Sequence, residues 1–309
     1  MPLKLAMLGM IDGNGHPYSW SAIINGYDWE AMSSCPYPAI LDYLGPPRDP
    51  ASVGFDDAAV THVWTDNPAE APSVAAASLI PNILEKPEDA IGEVDAVVIA
   101  TDDGSDHVRR CRPFIEAGLP VFIDKPMATT RDELDTLVDW QRQGHRILSS
   151  SGLRYDPDIA SLRERLDDLG DLRWASAITA KTWERYGIHC LEPIYSVLGP
   201  GFTSIRMESD PGGDVAFLRH QSGTRVTIAA IHDAFGSFGK FQFCGTKSMS
   251  FLPHRDTYTA FRDQLRSFVD FLKTGERPFP FEHTIEMMEI LIAGIQSRNE
   301  GGKTIQFAP

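Results

Sequence analysis

The sequence has few cysteines and no close pair of them. Four occur in 309 residues, and none is in the CxxC spacing of a zinc ribbon. Such isolated thiols indicate neither a disulfide framework nor a metal cluster, so we predict no metal site. They fit a chain that works in a reducing compartment.

Basic charge is also scarce. Lys and Arg number 28 against 43 Asp and Glu, which gives a formal charge of −15 and a pI near 5.0. A nucleic-acid partner needs clustered cations against its phosphates, and no such cluster occurs, so this class of partner is excluded. We attribute the acidic excess to solubility.

Long apolar runs are missing as well. A membrane span needs roughly 18 apolar residues, and the longest runs here are much shorter. The chain starts almost at once with the strand-like segment Lys4–Gly9 instead of a charged and then apolar leader. We therefore expect a cytoplasmic protein without a membrane partner. Its length predicts two domains.

What the first half does have is an alternation of apolar runs with helical stretches. The run AVVIAT at Ala96–Thr101 is typical of a parallel strand buried on both faces. Alternation of this kind predicts a Rossmann domain, a doubly wound parallel sheet, over residues 1–150. Between the first helix and the second strand, residues 26–59 form an unusually long connection, either an extra subdomain or a loop over the cofactor mouth. The predicted strands are Leu3–Gly9, Val60–Thr65, Ala96–Thr101, Pro120–Asp124 and Arg146–Ser150.

The pattern changes near residue 151. Short strand-like segments, broken by Gly, Pro and Asp turns, run from Trp174 to Gly245. Two helices follow, at Tyr258–Lys273 and His283–Arg298. Residues 151–309 are therefore predicted to form an α+β domain with an open, mainly antiparallel sheet that binds substrate. The outer face of an open sheet needs a cover, so we expect a homo-dimer or homo-tetramer.

A glycine-rich loop, GMIDGNGHPYSW, joins the first strand to the first helix. In Rossmann folds such a loop brings backbone N–H groups and a helix N-terminus against a pyrophosphate. The third glycine of that fingerprint is replaced by Tyr18, and an ordinary loop has the same composition. The candidate cofactor-binding residues of the loop are Gly9, Gly13, Asn14, Gly15 and His16.

Asp66 follows the second predicted strand, VTHVWT. An acid in this place accepts hydrogen bonds from a nucleotide ribose, but Asp66 is equally well interpreted as a turn residue in Thr-Asp-Asn-Pro. No arginine neighbours it in the sequence. The cofactor is therefore predicted to be NAD or NADP, with a slight preference for NAD.

Several segments, in order along the chain, resemble the Gfo/Idh/MocA family of sugar and inositol oxidoreductases. Val94–Thr130 contains the strand and turn VDAVVIATDD, then His107, then PVFIDKP in place of the family's Glu-Lys-Pro segment. Ser149–Ile159 and Gly187–Gly199 (GIHCLEPIYSVLG) match two later elements, and the tail Phe261–Phe307 matches the last helix and strand. The resemblance implies a two-domain, NAD(P)-dependent oxidoreductase of a sugar-like small molecule.

The resemblance also implies roles for individual residues. Lys125, in Asp124-Lys125-Pro126, and His189 are implied to be catalytic, because an ammonium group and an imidazole suit the proton transfer that accompanies hydride transfer. Alone, Lys125 would be interpreted as a surface-turn residue and His189 or His107 as structural. The further cofactor-binding candidates, beside Asp66, are Thr101, Asp102, His107, Asp124 and Lys125.

The chain departs from the family at one catalytic position. The family has an Asp four residues before the histidine, and here that residue is Arg185. Glu184 or Tyr186 could replace the carboxylate, or Arg185 could bind an anionic substrate group. Trp183 and Tyr186 are equally well interpreted as core residues. The candidate substrate-binding residues are Arg154, Lys181, Trp183, Arg185, Tyr186 and His189.

Three functions compete at this point. The first is a dehydrogenase or reductase of a sugar, cyclitol or nucleotide-sugar. The second is an enzyme that retains its NAD and oxidises a sugar only transiently. The third is a cofactor-binding regulator with reduced catalysis, favoured only by Arg185.

Overall fold

The computed structural model of the protein describes residues 1–46 and 53–307. Its contacts divide the chain into two compact units, which we describe separately. Unit 1 comprises Met1–Asp124, Asp135–Ser149 and Phe261–Pro278, and unit 2 comprises Lys125–Leu134, Ser150–Ala260 and Phe279–Pro309. Each unit takes segments from both sides of residue 150, where the sequence predicts the domain boundary.

Unit 1 contains a six-stranded parallel sheet with the order β3-β2-β1-β4-β5-β6. This is the order of a Rossmann sheet, in which ligands lie beyond the carboxyl ends of the strands. The strand Ala96–Ile99 is buried throughout, as predicted for AVVIAT. The strands are β1 (Leu3–Leu8), β2 (Ala58–Trp64), β3 (Asn82–Ile83), β4 (Ala96–Ile99), β5 (Val121–Ile123) and β6 (Ile147–Ser149).

Ten α-helices are described in residues 1–46 and 53–307. Two of them, α6 and α9, cross a boundary between the unit segments. The helices are α1 (His16–Asn25), α2 (Trp29–Met32), α3 (Pro38–Leu44), α4 (Ala71–Ala77), α5 (His107–Glu116), α6 (Arg131–Arg142), α7 (Pro157–Glu164), α8 (Ile188–Leu198), α9 (Thr257–Thr274) and α10 (Phe281–Asn299).

Most of α9 belongs to unit 1, although it follows the second sheet in sequence. Phe268 packs against Phe122 of β5, with ring centroids 5.4 Å apart. Asp57, just before β2, binds Arg266 at 2.7 Å and Lys273 at 2.6 Å. These two cations lower the pKa of the Asp57 carboxyl to about 2.

The long connection over residues 26–59 contains the short helices α2 and α3, with residues 47–52 outside the described range. Tyr27 donates from its hydroxyl to the carbonyls of Leu44 and Gly45, which closes the segment on itself. A Cβ on Gly15 would lie 2.5 Å from the ring of Tyr37 and 2.7 Å from Ile40. The connection therefore packs directly on the glycine-rich loop.

Unit 2 is built on a seven-stranded sheet with the order β12-β11-β7-β10-β9-β8-β13. Every neighbouring pair is antiparallel except β7 and β10, which are parallel, so the predicted sheet is mixed but mainly antiparallel. The strands are β7 (Leu172–Ala180), β8 (Phe202–Asp210), β9 (Gly213–His220), β10 (Arg225–Ile231), β11 (Lys240–Gly245), β12 (Met249–Pro253) and β13 (Ile305–Gln306).

Helices cover one face of this sheet, with α8 packed on β7 and α10 packed on β8. The other face carries half-buried and exposed apolar side chains in neighbouring strands. Phe217 of β9 lies opposite Thr227 of β10, and Ile178 of β7 lies opposite Ala229 of β10. Among the described helices, none combines the length and apolar character that crossing a membrane would require.

Candidate functional site

The glycine-rich loop of unit 1 needs glycine at two positions for backbone reasons. Gly9 and Gly13 have φ values of 93° and 76°, in the left-handed region that other residues rarely adopt. A Cβ on Gly9 would lie 2.7 Å from Cγ2 of Thr101, whereas a Cβ on Gly13 would have no atom within 4 Å. The loop is therefore closed underneath by Thr101 and open above Gly13.

Two polar side chains of the loop hold it on the carboxyl end of β5. Asn14 Nδ2 donates to Asp124 Oδ2 and to the carbonyl of Ala100, both at 3.1 Å. His16 Nδ1 lies 2.8 Å from the same Asp124 oxygen, and its ring stacks on Trp20. A hydrogen-bonded cluster inside unit 1, formed by Asn14, His16 and Asp124, thus fixes the shape of the glycine-rich loop.

Below the loop, the residues after β4 are buried. The hydroxyl of Thr101 has no hydrogen-bond partner among the described residues, although it is inaccessible to water. His107, also fully buried, places Nε2 2.8 Å from the carbonyl of Thr101, and Asp102 is buried beside it. His107 therefore contacts the turn through the carbonyl of Thr101, and its place beside a cofactor stays a prediction.

These observations fit a dinucleotide. The buried, unpartnered Thr101 hydroxyl and the open backbone at Gly13 are what a polar cofactor at the carboxyl edge of the sheet would satisfy and fill. Within residues 1–46 and 53–307, no three His, Cys, Asp or Glu side chains are grouped so that they could hold a metal ion.

Asp66, just beyond β2, is engaged by two partners. Its Oδ2 accepts the backbone N–H of Met10 at 2.9 Å, and its Oδ1 lies 2.7 Å from Nη2 of Arg110. No arginine neighbours Asp66 in the sequence, but helix α5 brings Arg110 to it in the fold.

In unit 2, the ring of Tyr186 is contacted by two lysines and, as described below, by a histidine. Lys125 Nζ lies 5.1 Å from the ring centroid of Tyr186, and Lys181 Nζ lies 4.3 Å from it. Lys181 also donates to the Tyr186 hydroxyl at 2.7 Å. Lys181 has a φ of 64°, and strained backbone of this kind is concentrated at functional sites.

His189, at the start of α8, contacts the same ring. Its centroid lies 5.1 Å from that of Tyr186 and 5.1 Å from that of Phe238. Nδ1 of His189 lies 2.8 Å from the hydroxyl of Ser151. Lys125 and His189 are therefore neighbours of one aromatic side chain, and Ser151 orients the imidazole.

A buried ion pair lies behind Ser151. Glu192 accepts the Ser151 N–H at 2.5 Å through Oε2, and its Oε1 lies 3.3 Å from Nη1 of Arg154. Burial raises the pKa of Glu192 to about 7, and Arg154 opposes that shift. The guanidinium of Arg154 also lies 3.8 Å from the centroid of Phe279. Arg154 thus supports the site through Glu192, and its assignment to substrate binding stays a prediction.

Two expectations are corrected. Trp183 is fully buried, donates its indole N–H to the carbonyl of Leu291 at 2.9 Å and packs on Gly294, so it is a core residue and not a pocket residue. Glu184 is ion-paired with Arg298, so it does not replace the missing carboxylate. Arg185 is partly exposed on the π-helical turn Trp183–Gly187.

Sequence reasoning missed three residues of these clusters, namely Ser151, Phe238 and Arg110. Ser151 lies in the segment SSSGLRYDPDI that carries part of the family resemblance, but a serine among serines has no distinguishing signal. Phe238 and Arg110 reach their clusters only through the fold.

Comparison with known proteins identifies a family model and relatives that match part of the chain. The family model GFO_IDH_MocA, an oxidoreductase family with an NAD-binding Rossmann fold, matches residues 46–151. A putative UDP-kanosamine synthase oxidoreductase subunit from Amycolatopsis mediterranei is 33% identical over 81 residues, which are 26% of this chain and 22% of that protein. The chain therefore matches less than a quarter of the length of that relative.

Solved structures resemble the whole chain at low identity. The crystal structure of myo-inositol 2-dehydrogenase from Lactobacillus plantarum superposes with a TM-score of 0.78 and 15% identity over 100% of both chains. That of myo-inositol dehydrogenase from Lactobacillus casei, in complex with NAD(H) and myo-inositol, gives a TM-score of 0.75 and 16% identity, covering 100% of this chain and 98% of that one. At such identities the likeness concerns the fold.

Proposed function

We propose that this chain is an NAD(P)-dependent oxidoreductase of a sugar-like substrate and a member of the Gfo/Idh/MocA family, whose model matches residues 46–151. The observation that carries the proposal is the shared contact of Lys125 and His189 with the ring of Tyr186. An ammonium group and an imidazole on one aromatic wall suit a substrate with several hydroxyl groups. The class proposed is a sugar, cyclitol or nucleotide-sugar.

The chemistry assigned to the protein is proton transfer and orientation. A bound nicotinamide supplies the hydride acceptor or donor. Lys125 donates a hydrogen bond to the substrate oxygen whose carbon exchanges the hydride, and His189 takes or returns the proton of that oxygen. Both residues are nearly buried, and low solvent access strengthens their hydrogen bonds to the substrate.

Lys181 and Tyr186 are assigned to orient the substrate. The Tyr186 hydroxyl accepts from Lys181, which leaves its own O–H to be donated to a substrate oxygen. Arg185, partly exposed on the same π-helical turn, is proposed to face an acidic group of the substrate when one is present. Gly9, Gly13 and Thr101 are proposed to contact the dinucleotide, with Asp66 on its ribose.

The test is a pair of measurements on the purified protein. NAD+ affinity is measured by calorimetry, and oxidation of a panel of cyclitols, sugars and sugar acids is followed by NADH absorbance. We expect Lys125→Met and His189→Ala to lower turnover by roughly 100-fold, the ordinary worth of a proton-transfer group, with little change in NAD+ affinity. Lys247→Met, at an exposed lysine of unit 2, serves as the control and is expected to behave as wild type.

The other two functions are outcomes of the same experiment. NAD that stays bound through purification, together with slow release of NADH, would favour transient oxidation with a retained cofactor. If the protein binds a dinucleotide but turns over no substrate, and Lys125→Met leaves that binding unchanged, the result would favour a regulator. It would contradict the catalytic roles proposed for Lys125 and His189.

We also propose a homo-oligomer assembled through the outer face of the seven-stranded sheet. Phe251 and Met249 at its edge are 58% and 55% exposed, and Phe217 and Ile178 are only half-buried. Apolar side chains so placed in three strands of one sheet, β7, β9 and β12, gain from a second copy of the chain covering them.

A further inference from the structure

Asp66 and Arg110 form an ion pair at the mouth of the glycine-rich loop. Arg110 Nη2 lies 2.7 Å from Asp66 Oδ1, and Nη1 lies 3.3 Å from Oδ2. The second oxygen also accepts the N–H of Met10 at 2.9 Å. The side chain of Arg110 is only 12% exposed, so its guanidinium is held against the Asp66 carboxylate by two parallel hydrogen bonds.

The pair lies where two parallel strands end side by side. Gly9 follows β1 directly, and Asp66 follows the last residue of β2 by two positions. A Cβ added to Gly9 would be 3.3 Å from Arg110 Nη1 and 3.5 Å from Asp66 Oδ2. This is the edge at which a Rossmann fold receives the adenosine ribose of its dinucleotide.

We propose that Arg110 is a positioning residue that holds Asp66 for the ribose diol of NAD, and that the pair makes the chain select NAD over NADP. The inference rests on the proposed function as a dinucleotide-dependent enzyme. A carboxylate has about four acceptor positions, and the bonds to Arg110 and Met10 engage three of them. One position on Oδ1 remains for a ribose hydroxyl.

A guanidinium group at this edge could instead attract a 2′-phosphate, but the charges around Arg110 oppose that role. Its Nε binds Asp106 Oδ2 at 2.7 Å, so two carboxylates already share this cation. Asp106 is bound in turn by Arg109, at 2.7 Å and 2.8 Å. A phosphate carrying about two negative charges would meet the Asp66 carboxylate and would have to displace it from Arg110.

The experiment is calorimetric titration of the purified chain with NAD+ and, separately, with NADP+ at one fixed salt concentration. We expect the wild type to bind NAD+ at least roughly tenfold more tightly than NADP+. Arg110→Gln is expected to weaken NAD+ binding by roughly tenfold, the worth of one well-placed hydrogen bond to a charged group. Asp66→Asn is expected to weaken NAD+ and strengthen NADP+, because the repulsion is removed.

The matched control is Arg112→Gln, an exposed arginine of the same helix. Its guanidinium lies 5.3 Å from the ring centroid of Trp140, so both affinities are expected to stay as in the wild type. In the Asp66→Asn background, Arg110→Gln is expected to cause no further loss of NAD+ affinity, which a merely structural arginine would not produce. Arg110→Lys keeps the positive charge but cannot make the two parallel hydrogen bonds of a guanidinium. It is the second variant to be titrated if Arg110→Gln unfolds.

Three results would overturn the inference. Wild-type preference for NADP+, or a larger loss of NADP+ than of NAD+ affinity in Arg110→Gln, would make Arg110 a phosphate ligand. Unchanged NAD+ affinity in Arg110→Gln would remove the positioning role while leaving the proposed function intact. Binding of neither dinucleotide by the folded wild type would defeat the proposed function as well.

Discussion

The buried pair Arg154–Glu192 provides a sharp test of how unit 2 holds its site. Both side chains are nearly inaccessible, and Glu192 also holds the backbone of Ser151. Arg154→Met keeps an unbranched apolar chain over the ring of Phe279 but removes the positive charge. The substitution therefore leaves a buried carboxylate without its counter-ion.

The cost of breaking one partner of a buried pair is about 3–5 kcal/mol, since the remaining charge is left uncompensated. At the lower end of that range, and at roughly 2–4 °C per kcal/mol for a chain region of 150–250 residues, the Tm falls by roughly 6–12 °C at alkaline pH, where Glu192 is charged; at neutral pH the fall is smaller, because Glu192 of the variant is protonated there. Replacing both partners relieves most of this cost. The double variant Arg154→Met/Glu192→Gln is expected to recover a large part of the lost stability.

The loss depends on pH in a defined direction. The Glu192 pKa is about 7 in the folded chain against an ordinary 4.5, so between these values the folded state binds more protons than the unfolded state. The carboxylate's contribution to stability is therefore most favourable below pH 4.5, declines as pH rises through this window, and reaches its full penalty above about 7. Without Arg154 the folded pKa rises further, and the decline extends to higher pH.

Thermal unfolding of the wild type, both single variants and the double variant, across the range from mildly acidic to mildly alkaline pH, measures these effects. The deficit of Arg154→Met relative to wild type is expected to be smallest at the acidic end. A deficit that is the same at every pH, or a double variant no more stable than Arg154→Met, would refute the reasoning, because the lost stability would not come from the Glu192 charge.

Two other predictions concern His189 and assembly. Ser151→Ala removes the hydroxyl that lies at His189 Nδ1. We therefore expect the ¹⁵N spectrum of this imidazole to show a changed tautomer balance, and turnover to fall by roughly tenfold. An unchanged spectrum would contradict the orienting role. Sedimentation at micromolar concentration is expected to give a dimer or tetramer that Phe217→Asp dissociates, whereas a monomeric wild type would refute the proposed interface.

The fold was predictable where local signals are strong. The buried runs of β1, β4 and β5 and the last two helices, α9 and α10, appear close to their predicted bounds, because local apolar patterns specify them. The two-residue strands β3 and β13 have no periodicity to detect. The parallel pairing of β7 with β10 depends on which strands meet across the sheet, and no local pattern encodes it.

For the candidate site, the sequence identified motif residues and missed their partners. Lys125 and His189 are marked by proline and glycine neighbours that fix their place in a family pattern. Arg110 is 44 positions from Asp66, and Ser151 is 38 positions from His189, so only tertiary structure pairs them. Trp183 illustrates the opposite error, because an aromatic residue beside cations looks the same in sequence whether it lines a pocket or fills the core.

Arg185 brings these points together. The sequence left three answers to the loss of the family's Asp: Glu184, Tyr186, or an anion-binding role for Arg185 itself. The ion pair with Arg298 removes Glu184, whereas the Tyr186 ring lies against Lys125, Lys181 and His189. Tyr186 cannot act as the carboxylate would, since a hydroxyl carries no charge with which to stabilise an imidazolium.

The orienting bond to Nδ1 of His189 comes from Ser151 instead. A hydroxyl can either donate or accept there, whereas a carboxylate only accepts. His189 is thereby left able to present either a protonated or an unprotonated Nε2, which suits an enzyme whose imidazole must both take and return a proton.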